Sequence, residues 1–85
     1  MEEKKQIVLN ALAELLREQR GAKSQFIFSS ENDISISIIN SIERGLKDPQ
    51  LTTFLRIAEA CNMPYDKFLA RLVKKLPKDF CFIDK

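Results

Sequence analysis

The chain contains no histidine and no tryptophan, and only two glycines and two cysteines among 85 residues. Without histidine there is no His-based general base, no Ser-His or Cys-His couple and no mixed Cys/His zinc site, so the commonest catalytic and structural-metal constellations are excluded. Gly21 and Gly45 stand too far apart to share a dinucleotide fingerprint or a phosphate-cradling loop. The carboxylates come as Glu2-Glu3 and as singles on polar helix faces, which reads as a solvated surface and not as an acid/base pair. No enzymatic activity, metal site or cofactor is expected. The longest apolar run is Phe80-Cys81-Phe82-Ile83, far short of the ~20 residues of a membrane span. The opening Met1-Glu2-Glu3-Lys4-Lys5 lacks the apolar stretch of a signal peptide. Cys61 and Cys81 then read as reduced thiols, and the expected location is the cytoplasm, away from membranes.

What the chain does have is 45% hydrophobic and 31% charged residues with a net charge of +2, the balance of one small globular domain, and no separate sensor or catalytic domain is expected. A domain of this size buries only about 60% of the surface its unfolded chain exposes, so a partner subunit would add stability and a homodimer is expected.

Apolar residues recur at helical spacing. Val8, Leu9, Leu12, Leu15 and Leu16 form one face of a first helix over Ile7–Arg20, with Glu14, Arg17, Glu18 and Arg20 on the other, and Gly21 as its stop. Ser24 is a candidate N-cap for a short helix from Gln25 to about Glu31, ended by Asn32-Asp33. Ser35 is the N-cap candidate for a helix over Ile36–Arg44 that stops at Gly45. Leu51, Phe54, Leu55, Ala58 and Cys61 share a face of a fourth helix, Leu51–Cys61, which Asn62 ends. Pro64 opens a fifth running to about Leu76, with Phe68, Leu69, Leu72 and Leu76 inward, and Pro77 closes it. The fold class is all-α: residues 1–76 form the domain, and 77–85 an apolar C-terminal tail.

The two short helices, about four residues apart, have the dimensions of a helix-turn-helix. Leu16-Arg17, Ser24-Gln25, Ile34-Ser35, Ile39, Ile42-Glu43-Arg44-Gly45, Asp48-Pro49-Gln50-Leu51 and Ile57-Ala58-Glu59-Ala60 together resemble the lambda-repressor/Cro-like, or Xre-type, DNA-binding family over roughly residues 8–72. The resemblance implies five helices, with the third in the DNA major groove and the second bracing it across the phosphates. It also implies a homodimeric transcriptional regulator on a two-fold operator. Glu31-Asn32-Asp33-Ile34-Ser35 and the short chain resemble the controller proteins of restriction-modification systems in particular, while phage repressors and antitoxins carry similar modules.

A helical wheel of the third helix, with Ile39 at zero, puts Ser35, Ile42 and Leu46 inward and Ser37, Asn40, Ser41 and Arg44 outward. Asn40 has the geometry for a bidentate pair with adenine, and Ser37 and Ser41 can donate or accept. Ile36 and Ser37 fall, by the resemblance, where first-turn base contacts sit, and an isoleucine there can touch a thymine methyl but cannot read a purine. The resemblance assigns phosphate contacts to Ser24 and Gln25, beside the cations Lys23, Arg44 and Lys47. Glu43 lies about 40° from the inward direction, and the resemblance pairs it with Arg17 as a structural salt bridge; the alternative leaves both in solvent.

Residues 21–50 carry three basic groups (Lys23, Arg44, Lys47) against four acidic ones (Glu31, Asp33, Glu43, Asp48), a weakly attractive surface for DNA, whereas residues 51–85 carry a net +3. A protein-interaction adaptor, or an antitoxin-like module that keeps the fold with little DNA binding, is the alternative class. Phe26 and Ile27 are expected in core or dimer packing and Cys61 in the core. Lys67, Arg71, Lys74 and Lys75 read as a solvated face, with phosphate contact as the other reading. The tail either folds back or crosses to a second subunit. The second reading makes Phe68, Leu72, Val73, Phe80 and Phe82 dimer candidates.

Overall fold

A computed structural model of the protein describes residues 2–84, and these contain five α-helices and no strand: α1 Glu2–Arg20, α2 Gln25–Asn32, α3 Ile36–Glu43, α4 Leu51–Ala60 and α5 Tyr65–Lys74. Met1 and Lys85, the outer ends of the two expected segments, lie outside the described residues. No helix among the described residues is long and apolar enough to cross a membrane. The molecule measures 43 × 24 × 23 Å, and α1, about 28 Å long at 1.5 Å per residue, is its longest element.

Each helix boundary has a local cause. α1 starts five residues before its apolar periodicity because Glu2 and Glu3 complement the positive end of the helix dipole and Lys4, Lys5 and Gln6 are good helix formers. It stops at Gly21, which takes a left-handed φ of 61° without a Cβ penalty. Ser24 caps α2 by accepting from the Ile27 N–H at 3.1 Å, and Ser35 caps α3 by accepting from the Ser37 N–H at 3.2 Å. Asp33 and Asn62, at φ 53° and 57°, supply the left-handed turns after α2 and α4. Pro64 lies just outside α5 as its N-cap residue, one position earlier than a first-turn proline.

The core is one cluster: Leu12, Leu15 and Leu16 of α1, Phe28 of α2, Ile34 in the turn, Ile39 and Ile42 of α3, Ile57 and Ala58 of α4, and Phe68 and Leu72 of α5. The Phe54 and Phe68 rings meet edge to face, centroids 5.2 Å apart. Eight residues of isoleucine, serine, asparagine and glutamate make a poor isolated helix, so α3 owes its helicity to the burial of Ile39 and Ile42 and to its cap.

Several expected inward residues are exposed. Leu46 and Ser35 flank α3 outside its helical limits, where the wheel no longer describes them, and both face solvent. On α4 the buried stripe runs through Ile57 and Ala58 with Phe54 and Cys61 beside it, which turns Leu51 out, 73% exposed. On α5 only Phe68 and Leu72 are buried, and Leu69 is on the flank. Phe26 and Ile27 are not in the core either: α2 buries Phe28 alone, and Phe26 is 70% exposed.

Candidate nucleic-acid interface

α2 and α3 are eight residues each and are joined by Asp33, Ile34 and Ser35. Ile34 plugs this turn into the core. The Ser29 hydroxyl donates to the Ile34 carbonyl, and Arg56 Nη2 reaches from α4 to donate to the Asp33 carbonyl at 2.6 Å. The angle between the two helices is thus fixed by packing and by hydrogen bonds from both sides.

The C-terminal end of α3 is fastened to α1. Glu43 is 5% exposed, and its carboxylate is held by Arg20 in a bidentate fork, Nη2 to Oε1 and Nε to Oε2, both 2.7 Å, while Gln25 Nε2 donates to Oε1 at 3.1 Å. The partner is therefore Arg20, not Arg17. Arg17 lies one turn earlier on the same helix face and donates through Nη1 to the Glu43 main-chain carbonyl. Burial raises the Glu43 carboxyl, but the hydrogen bonds from Arg20 and Gln25 and the charges of Arg20 and Arg17 outweigh it, so its pKa lies below the ordinary value. One residue further, Gly45 is buried at φ 70°, its carbonyl accepting from Gln6 Nε2 at 2.9 Å, with the Asn10 amide oxygen closing over it.

These ties leave the other side of α3 open. Asn40 and Ser41 are half-buried, Arg44 is exposed and Lys47 half-buried, and none of the four side chains hydrogen-bonds within the described residues. No buried side-chain nitrogen or oxygen lacks a partner among the described residues, so the free groups are those that water reaches. Ser37 and Ser35 share a hydroxyl contact of 2.8 Å. Ile36, between them, is 44% exposed. Ser24 and Gln25 stand at the start of α2. The Ser24 hydroxyl oxygen accepts from the Ile27 N–H and one Gln25 amide hydrogen goes to Glu43, which leaves the Ser24 O–H, the second Gln25 N–H and the backbone amides of Gln25 and Phe26 for a ligand.

The local charge differs from the sequence count. Glu43 is neutralised by Arg20, and Lys23 is paired with Glu31 at 2.6 Å. Among the described residues Arg44 and Lys47 remain as cations without an ion-pair partner, and Arg56 of α4 adds a third at the α2–α3 turn. Sequence reasoning missed Arg20 and Arg56. Arg17 and Arg20 are three apart and share a helix face, so spacing alone admitted either one, whereas Arg56 meets the turn only through the tertiary fold.

The proposed dimer residues separate into two groups. Phe68 is fully buried and Leu72 nearly so, and both fill this chain's own core, so neither is available to a second subunit. Val73 is 54% exposed, and beside it on α5 Tyr65 and Leu69 are exposed too. The tail turns back towards the start of α1: Lys4 Nζ donates to the Phe82 carbonyl at 3.4 Å and stands 3.6 Å from the Asp84 carboxylate. Phe80 is half-buried and packs edge to face on Phe82, yet Phe82 and Ile83 stay exposed. Val73, Leu76, Pro77 and Phe80 line an open groove of about 480 Å³ between α5 and the tail. Cys81 is exposed, whereas Cys61 is half-buried against the core and burial pushes its thiol up to about 11. No family model, curated protein or solved structure matches the chain.

Proposed function

We propose that the protein is a sequence-specific DNA-binding transcriptional regulator of the lambda-repressor/Cro-like type, acting as a homodimer on a two-fold operator. In this reading α2 and α3 form a helix-turn-helix and α3 enters the major groove. The observation that carries it is the two-sidedness of α3. One side is anchored through Ile39, Ile42 and the Glu43–Arg20 fork, while Asn40, Ser41, Arg44 and the following Lys47 keep hydrogen-bonding groups that nothing in the described residues satisfies. A short polar helix face held rigidly is suited to base edges, with Asn40 for an adenine and Arg44 and Lys47 for guanine or phosphate.

The test is selection of bound duplexes from a randomised pool at two salt concentrations. A two-fold-related motif supports the proposal and gives the half-site spacing. Asn40→Ala is then expected to relax specificity at one base pair per half-site, and Lys47→Ala to weaken all sequences alike. A second reading, a protein-interaction adaptor, is favoured by the exposed Phe26 and Ile27 on α2. Recovery of no motif at low salt would select it.

A further inference from the structure

α5 has two unlike flanks. Lys67, Arg71 and Lys74, spaced by four and three residues, lie along one, and Tyr65, Leu69 and Val73 lie along the other. The three cations are exposed, and none forms an ion pair among the described residues. Lys75 differs, because its ammonium is held by Glu14 at 3.0 Å and by Glu18 at 2.8 Å and ties α5 to α1. Beyond the helix the chain reverses. The Phe80 N–H donates to the Pro77 carbonyl at 3.1 Å, and Asp79 takes a left-handed φ of 63°, which brings Phe80 back to the end of α5. The groove of about 480 Å³ formed there is lined by the apolar Val73, Leu76, Pro77 and Phe80, with Lys74 and Lys78 beside them. Its volume falls in the ~300–1,000 Å³ range of ligand clefts. Asp79 is the one carboxylate that lines it, and Asp66 sits beside Lys67 at the far end of the helix. The excess of positive charge is therefore concentrated at Arg71, Lys74 and Lys78. The negative end of the helix dipole accounts for cations in the last turn of α5 but not for an apolar groove next to them.

We infer that this groove is a docking site for an acidic segment of another protein, whose large apolar side chains fill the groove while its carboxylates meet Arg71, Lys74 and Lys78. The pairing of hydrocarbon lining with a cationic rim selects this occupant. A nucleic-acid backbone has phosphates for the rim but no hydrocarbon for the groove. A second copy placed by a two-fold axis across the groove would bring its own Lys74 and Lys78 towards these two, like charge against like. Docking here is independent of DNA binding, and it leaves the uncharged flank of Tyr65 and Leu69 to the proposed dimer contact.

The test is selection of binders from a random peptide library displayed on phage, followed by fluorescence anisotropy of the recovered peptide, made synthetically, with the purified protein. Recovered peptides are expected to carry several aspartates or glutamates around one or two leucines or aromatic residues, and to bind more weakly as salt is raised. Lys74→Glu, Lys78→Glu changes two exposed, unpaired side chains, so its thermal melt should match the parent's. It is expected to lower affinity about tenfold, and Phe80→Ala about fivefold, whereas Lys5→Glu on α1 leaves affinity unchanged. Recovery of no peptide, of peptides without net negative charge, or of a peptide that binds the double variant as tightly as the parent overturns the inference. A changed sedimentation mass in the double variant would assign the groove to a second copy. Loss of random-sequence duplex binding in that variant, with no peptide recovered by the parent, would assign the cations to nucleic acid. Either result also overturns it, while the duplex selection decides the DNA-binding reading separately.

Discussion

A carboxylate as buried as Glu43 is costly unless each of its oxygens is matched, and here one guanidinium and one amide do the matching. The fork makes Arg20 and Arg17 unequal. Arg20→Met removes both charge-assisted bonds and strands a buried charge, and is expected to cost about 3 kcal/mol in a urea melt. Arg17→Met loses a hydrogen bond to a carbonyl and is expected to cost about 1 kcal/mol; the reverse order would make Arg17 the principal partner after all. A pH dependence follows from the same group. Its folded pKa is below the unfolded value of about 4.3, so its contribution is fully present above that value and is lost as pH falls through the folded pKa. Thermal melts from pH 7 to pH 2 are expected to show Tm falling below about pH 4, with a shallower fall in Glu43→Gln; an identical slope in the two proteins would show that other carboxylates control the acid transition.

Gly45 governs how α3 meets α1. A Cβ at this residue would stand 2.7 Å from the Asn10 amide oxygen and 3.1 Å from Gln6 Nε2, and the backbone is at φ 70°. Gly45→Ala therefore meets a backbone penalty and a contact penalty together, about 1 to 2 kcal/mol in all. The Gly45→Ala, Asn10→Ala double variant separates them: relief of crowding recovers part of the loss, whereas no recovery would assign the whole effect to φ. The glycine itself was legible in the sequence as a helix stop, as were the five helices, because capping serines, left-handed Gly and Asn positions and apolar periodicity are local signals. The directions of the helix faces were less legible. The apolar face expected for α4 omits Ile57 and places Leu51 inward, because a periodic stripe locates an apolar arc only to within one neighbouring residue and the packing partner selects its centre. The anchoring of the candidate interface was legible only as a need: Glu43 required a partner, but Arg17 and Arg20 satisfy the same spacing. The approach of Gln25 and Arg56 depends on contacts between elements and has no local signature.

At the scale of the molecule, burial of Phe68 and Leu72 confines the proposed dimer contact to what α5 and the tail leave uncovered: Tyr65, Leu69 and Val73 on the helix, Phe82 and Ile83 beyond it. Tyr65, Leu69 and Val73 recur every four residues and so line one flank of α5, next to the open groove that Pro77 and Phe80 help to line. Folding back does not cover this apolar surface, because the tail is fastened by Lys4 at the far end of α1 and still exposes its own phenylalanine and isoleucine. A charge on the flank should therefore disrupt association without touching the core. Sedimentation equilibrium is expected to report a dimer for the parent protein and a monomer for Leu69→Asp, Val73→Asp, and truncation after Leu76 to weaken association less completely, since it leaves the helix flank in place. In the proposed reading, DNA binding is coupled to this change through the number of phosphates each particle neutralises. The dimer is expected to have a salt slope of about −4 to −6 on a two-fold site, and the charge variant about half of that on a single half-site. If the variant kept both the dimer mass and the full slope, the subunits would have to meet through another surface, and the exposed Phe26 and Ile27 of α2 would be the next to substitute.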